Sequence, residues 1–307
     1  MAIYQSCVAL MVRLTFRQWQ SAILVMIAIT CILLSLLEVS LDIDNPIILS
    51  VMVCTILILG VPHGALDYSL AVNGLKLLTF TQKIRFLLVY IGIVLFSIGL
   101  WLISPIIGFL LFMLMSVWHF SEDWSLVNNR NQCWVMAICF IATPALFKPA
   151  EFSEILVMLW LTDIQIELVT SVSQFIAIAT LLFLLFRFNK ASIGLYIELV
   201  ALLTVLMLGG ILHYFTAYFC IVHSPLYVKR FVTEVPTTKS HLIIQLMAVM
   251  CATFILLIVL WWLSGIYQFD VGIYAWIFIG LFALTVPHML LVEKCFEKAN
   301  STPSPNE

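Results

Sequence analysis

Between Arg85 and Glu122 the chain carries no Asp, Glu, Lys or Arg, and Leu, Ile, Val and Phe fill most of the interval. A bilayer core of about 30 Å takes roughly 20 helical residues, so a run of this kind has the length to cross one. Comparable runs recur along the 307 residues. With 64% hydrophobic and 10% charged residues and a mean hydropathy of +1.15, the chain has too little polar surface for a water-soluble core of ordinary proportions. In hydrocarbon every backbone N–H and C=O must be satisfied within the protein, which leaves helices or closed barrels. The unbroken apolar runs lack the two-residue alternation of a barrel strand. The expected fold is therefore all-α, a polytopic transmembrane helical bundle in the cell's inner (plasma) membrane.

Cut at its charges and prolines, the chain yields spans near 20–38, 46–71, 84–103, 105–121, 132–148, 166–186, 191–209, 211–228, 241–264 and 271–292, about ten helices. Two cuts, at Ser104-Pro105 and Gly209-Gly210, rest on helix-breaking residues and not on a polar loop. Lys and Arg gather in cytoplasmic loops, which orients the bundle. Arg13 and Arg17 precede the first span, Lys76, Lys83 and Arg85 follow the second, and Arg130 follows the fourth. Arg187 and Lys190 follow the sixth, Lys229, Arg230 and Lys239 the eighth, and Lys294 and Lys298 the tenth. The opposite loops hold Glu38, Asp42, Asp44, Glu151, Glu154, Asp163 and Asp270, with Lys148 the exception. Both termini are expected in the cytoplasm.

Residues 1–299 read as a single transmembrane domain and the Ser/Pro/Asn-rich 300–307 as a disordered tail. Arg13 and Arg17 ahead of an apolar run resemble a signal-peptide layout. The run is long and no small-residue cleavage site precedes the acidic loop, so a retained first helix is expected. The segment 151–161 is apolar at helical spacing but too short to span, and reads as a helix in the outer interface. A net charge of -2 provides no basic surface for nucleic acid. The eight cysteines form no C-x-x-C pair, so neither a thiolate metal site nor a disulfide framework is indicated.

Ionisable groups inside a membrane are expensive and mark functional sites. The orientation places His63, His119, His223 and His288 on even-numbered spans, each within about two turns of the cytoplasmic boundary at 1.5 Å of rise per residue. His213 lies ten residues before His223, about 15 Å toward the outer side, and His241 opens the ninth span among polar residues. Both are left out. A lone histidine is ordinarily a hydrogen-bonded core imidazole. Four at one depth are costly polar groups unless something uses them, and a divalent transition metal is the economical use; imidazole suits Zn, Cu, Fe and Ni alike.

Asp67 stands one turn beyond His63 and is either an orienting partner for its ring or a helix cap near water. Glu122 and Asp123 stand likewise beyond His119, between Trp118 and Trp124. Tyr214, Phe215, Tyr218 and Phe219 form an aromatic wall leading to His223; it would suit a long conjugated or isoprenoid ligand, although aromatics at helical spacing are more often packing. Proline precedes both His63 and His288 and frees backbone beside each ring.

Gly60-Val61-Pro62-His63-Gly64-Ala65-Leu66-Asp67, Trp118-His119-Phe120-Ser121-Glu122-Asp123, Tyr218-Phe219 with His223-Ser224-Pro225, and Val286-Pro287-His288-Met289 together resemble the Brp/Blh family over about residues 45–293. These are the bacteriorhodopsin-related membrane β-carotene 15,15′-dioxygenases of bacteria and archaea. The resemblance implies an iron-dependent enzyme that cleaves the central double bond of β-carotene with O2, giving two all-trans-retinal, commonly for a microbial rhodopsin. It carries His63, His119 and His223 onto positions proposed to ligate Fe(II). Many members have a second histidine four residues after the one in H-S-P, where this chain has Tyr227. The fourth ligand is thereby open among His288, whose depth matches, Tyr227, and an open coordination position. Asp67, Glu122 and Asp123 would support the ligands, and no residue beyond the metal centre would be catalytic. Alternatives at this stage are oxygenation of another carotenoid or isoprenoid, a haem oxidoreductase with paired histidines, and a metal transporter.

Overall fold

The computed structural model describes residues 15–41, 45–124, 130–187, 193–235, 237–238, 240, 242–251, 253–255 and 272–300. Among them every regular element is helical: α1 (Phe16–Leu36), α2 (Pro46–Thr55), α3 (Val61–Ala65), α4 (Asp67–Gly74), α5 (Phe80–Ile103), α6 (Pro105–Ser121) and α7 (Arg130–Phe147). There follow α8 (Pro149–Met158), α9 (Asp163–Phe186), α10 (Ile193–Gly209), α11 (Ile211–Tyr218), α12 (Ser224–Glu234), α13 (Leu242–Ile255) and α14 (Gly272–Asn300). His241, the stretch 256–264 of the ninth expected span and the tail 301–307 lie outside the described residues. So do Arg13, Asp42, Asp44, Lys190, Lys239 and Asp270 of the charge count.

Three long helices start with the same device. Thr15, Thr79 and Thr162 precede α1, α5 and α9, and the Gln three residues on accepts the threonine N–H at 2.8, 3.0 and 3.0 Å. This Thr-x-x-Gln capping box satisfies orphan donors at a helix start without placing a charge there.

Among the described residues five helices have the length and hydropathy to cross a bilayer: α1, α5, α6 with its following turn, α9, and Phe278–Cys295 within α14. The pair α7 and α8, bent by 102°, makes a sixth if taken as one span. Pro149 opens α8 at that bend, so the 151–161 segment is the second arm of a broken helix. Of the other expected spans, α10 and α13 are apolar but shorter, and the second and eighth are each split. The chain is thus a membrane protein; Met26, Phe96, Phe175 and Leu185, all more than 60% exposed, show the apolar surface that lipid covers.

The two cuts placed on helix breakers fall where the helices do break. Pro105 opens α6 after an extended Ser104. Gly210 adopts φ +92°, a conformation that favours glycine, and its neighbour Ile211 N–H donates to the Glu151 carboxylate of α8 at 2.8 Å.

The split spans position the site. α2 widens into a π-turn at Ile56–Gly60 before α3, and α11 into another at Phe219–His223 before α12. Pro62 and Pro225 sit at the starts of α3 and α12 and bring no N–H to the ladder, so carbonyls upstream lose their helical donors. Side chains from elsewhere supply donors to carbonyls around both breaks. Ser224 Oγ donates to the Leu59 carbonyl at 2.5 Å, Gln245 Nε2 to Ala65 at 2.6 Å, and Gln20 Nε2 to Ile221 and Val222 at 2.7 and 3.0 Å. Irregular backbone in a membrane is tolerated on this condition. A side chain on Gly60 would meet Phe219 at 3.0 Å, so the glycine lets the two π-turns approach.

Candidate metal centre

His63 follows the first π-turn on α3, His119 lies in the last turn of α6, His223 ends the second π-turn, and His288 follows Pro287 within α14. These four distant positions meet. Ring centroids are 4.4 Å apart for His63 with His223 and with His288, 4.6 Å for His119 with His223, 5.3 Å for His119 with His288, and 5.6 Å for His63 with His119. One nitrogen from each of His63, His119 and His288 lies within 4.8 Å of the other two, and His223 Nε2 is 3.3 Å from His63 Nε2. His63, His223 and His288 are buried and His119 is partly so. No ring contact joins His213 to them among the described residues; it packs against Gly209 at the far end of α11.

Two of the rings are oriented by buried carboxylates. His288 Nδ1 meets Asp67 Oδ1 at 2.6 Å, and His223 Nδ1 meets Asp123 Oδ2 at 2.8 Å. A carboxylate at Nδ1 holds the proton there and leaves the Nε2 lone pair aimed into the cluster. Each carboxylate also accepts from a phenol: Tyr90 OH donates to Asp67 Oδ2 at 2.8 Å and Tyr218 OH to Asp123 Oδ2 at 2.5 Å.

These pairings correct the local ones expected from spacing. Asp67 serves His288 of α14 and not His63, because α3 ends at Ala65 and a turn at Leu66 rotates the start of α4. Asp123 serves His223 and not His119, because α6 gives way to a tighter turn at Glu122–Trp124. In that turn only one of the adjacent acids faces inward. Glu122 points to the surface, 49% exposed, and pairs with Arg230 at 2.9 Å, so it supports no ring. Trp118 is exposed while Trp124 is buried in the core.

The aromatic wall also divides. Tyr214 is buried, stacked on Phe140, donating to the Phe140 carbonyl at 2.9 Å and 3.0 Å from the Thr143 hydroxyl. Tyr218 is buried against Phe140 and Phe120 and engaged by Asp123. Neither lines open space. Phe215 and Phe219 are only partly buried, stack at 5.4 Å, and bring Phe219 to 5.4 Å from His223 and 5.7 Å from His63. The Tyr227 ring packs 4.4 Å from His63 and 5.2 Å from His288. A cleft of about 520 Å³ leads from Glu122, Lys229, Arg230 and Glu234 at the surface to His119, Asp123 and His223.

The donor set suits a transition-metal ion. His119 Nε2 and His288 Nε2 are buried with no hydrogen-bond partner among the described residues, and His63 turns its Nε2 toward that of His223. Two imidazoles on one ion, with bonds of about 2.1 Å at 90–109°, place their nitrogens about 3.0–3.4 Å apart. The 3.3 Å between His63 and His223 falls in that range. Neutral nitrogen donors with no thiolate among them fit Fe(II) as they fit the other imidazole-binding metals.

Sequence reasoning missed Tyr90 and Gln20. Tyr90 carries no signal, being one more aromatic in the apolar α5. Gln20 does carry one, as an amide in an apolar helix that is 3% exposed.

No curated protein and no solved structure matches the chain. A family model described as Beta-carotene 15,15'-dioxygenase matches residues 54–295, a stretch that contains all four histidines and both aspartates. By that match, which covers well over half its length, the chain belongs to the β-carotene 15,15′-dioxygenase family.

Proposed function

We propose that the chain is an iron-dependent dioxygenase that cleaves the central 15,15′ double bond of β-carotene with O2 to give two all-trans-retinal. The observation that supports this most is the convergence of four imidazoles from α3, α6, the second π-turn and α14, two of them held by buried aspartates. His63, His119, His223 and His288 would hold Fe(II), with Tyr227 as a wall beside two of them. The ion, when bound, supplies the one-electron chemistry by which O2 reacts with a closed-shell polyene.

The protein's part is position and dryness. Asp67 and Asp123 fix ring direction and are not general bases, because both oxygens end in the two aldehydes and no proton leaves the substrate. Phe219 and Phe215 present stacked rings beside the cluster, a surface on which a flat polyene packs. β-Carotene is dissolved in lipid, so it enters laterally between helices, and the retinal leaves the same way, available to a rhodopsin in the same membrane. The reading takes residues 1–299 as one domain of about ten membrane passes in the plasma membrane with both termini cytoplasmic, which puts the cluster and the charged cleft near the inner face.

The spacing disfavours haem. Two imidazoles on opposite faces of one macrocycle, with bonds of about 2.0–2.1 Å in line, would part their nitrogens by about 4 Å with a flat ring between. The 3.3 Å contact and the packing of all four rings leave no such slot.

The test is expression in a bacterium that accumulates β-carotene, beside His223→Ala, with chromatography of extracted pigments. Retinal in the wild type alone is the expected result. Carotene surviving in membranes that contain folded, iron-loaded wild-type protein would overturn β-carotene as substrate.

A further inference from the structure

Helix α1 lies wholly upstream of residues 54–295, the part of the chain that matches the family, yet its side chains reach the backbone that carries His223. Gln20, Arg17 and Ser21 share the face of α1 turned to α10 and the second π-turn. Gln20 Nε2 donates to two consecutive carbonyls, Ile221 at 2.7 Å and Val222 at 3.0 Å. The first of these is four residues before Pro225, so it is the carbonyl for which an ordinary helix would supply the N–H that proline lacks. The second immediately precedes His223.

Arg17 braces the other end of the same unit. Its guanidinium pairs with the buried Glu198 of α10 and lies 5.1 Å over the ring of Trp124, the residue after Asp123. Ser21 Oγ fixes the second oxygen of Glu198 at 2.5 Å. The Asp123–His223 pair is thus held from both sides by one helix: at the histidine through its carbonyls, at the aspartate through the neighbouring indole.

We propose that Gln20, assisted by Arg17, is a positioning residue for His223, so that α1 is a working part of the metal centre. The inference rests on the reading that the four histidines hold a metal ion. A purely structural role for Gln20 would lower thermal stability when it is removed and leave metal binding by the folded protein unchanged. A positioning role changes affinity and ligand field, because supports of this kind are worth about 10- to 100-fold in metal affinity.

The experiment uses the full chain in lipid nanodiscs, stripped of metal and titrated with Co(II), whose visible spectrum reports coordination. Wild type, Gln20→Met, Gln20→Asn, His63→Ala and Thr30→Val are compared, together with their thermal midpoints. Thr30 is the control, an exposed residue of α1 whose hydroxyl bonds, among the described residues, to the Met26 carbonyl of its own helix. Gln20→Met should weaken Co(II) binding at least tenfold and shift the spectrum, while Thr30→Val matches wild type. Gln20→Asn keeps the amide but withdraws it by one methylene, and should fall between; it carries the test if Gln20→Met does not fold. Wild-type affinity and spectrum in the folded Gln20 variants would overturn the proposal, whatever their midpoints. A wild type that binds Co(II) no better than His63→Ala would overturn the metal reading, and this inference with it.

Discussion

The histidine cluster has two halves built to one plan from different material. On one side Asp67 of α4 joins His288 of α14 and Tyr90 of α5; on the other Asp123, in the turn after α6, joins His223 of the second π-turn and Tyr218 of α11. In the Asp123 half Tyr218 is fully buried among Phe120, Trp124 and Phe140 and α1 reaches the backbone beside the histidine, while the cleft opens onto Asp123 and His223. In the Asp67 half the aspartate and histidine are equally buried, and it is the phenol that differs: Tyr90 is partly exposed on a helix whose outer face is apolar. The same hydrogen bonds should therefore weigh differently. A phenol enclosed by packed rings fixes its carboxylate rigidly and leaves it short of a donor when removed, whereas a partly exposed phenol holds its carboxylate less tightly.

The largest effect expected is from Asp123→Ala, which strands the His223 N–H and the Tyr218 hydroxyl together. Iron affinity should fall by about 100-fold, the upper end of what such supports contribute, with loss of retinal formation and a lower thermal midpoint. Asp67→Ala should cost nearer tenfold in affinity. Metal titration of both variants in detergent measures the difference, and an equal or reversed order breaks the contrast between the halves with the enclosed and the partly exposed phenol. The phenols give a finer version. Tyr218→Phe removes one donor to a buried carboxylate, worth about 1.5–3 kcal/mol, and should reduce affinity about tenfold or more. Tyr90→Phe should stay within about threefold, since the partly exposed phenol it removes is the less firmly held donor. If Tyr90→Phe were the more damaging, exposure would be the wrong guide to these two sites.

What was legible follows from which physics is local. That His63, His119, His223 and His288 share a depth is arithmetic on helical rise and loop charge, and the structure brings them together. The breaks at Pro105 and Gly210 were legible because proline and paired glycine carry their conformational limits with them. The family resemblance was legible in its motifs, and residues 54–295 bear it out. The carboxylate pairings were not. Spacing puts Asp67 under His63 and Asp123 under His119 only if the helix runs on, and both helices turn between the two residues. Once the local register is lost, the partner is chosen by packing between elements far apart in sequence, which no spacing encodes. The break in the second span was legible in Pro62 and its flanking glycines, whereas the eighth span read as one helix although Phe219–His223 forms a π-turn ahead of Pro225. Tyr214 and Tyr218 read as a ligand wall because aromatic content is local, while the face they turn is decided by Phe140 on α7.

The smallest effect expected is also the sharpest test of where the Asp123 half ends. Glu122 is adjacent to Asp123 in sequence and shares its charge, so a reading from sequence gives both the same role. In the structure its carboxylate is half exposed and ion-paired with Arg230, itself one-third exposed and paired with Glu234 at 3.2 Å. Exposed ion pairs contribute about 0–1 kcal/mol, because solvent screens them and the long side chains lose freedom in forming them. Glu122→Gln should therefore leave iron affinity and retinal yield within about twofold of wild type, beside the near-complete loss in Asp123→Ala. A loss comparable to that of Asp123→Ala would mean that the carboxylate at the mouth of the cleft acts on the histidines, and the boundary drawn between the buried half and its surface would have to move outward to include it.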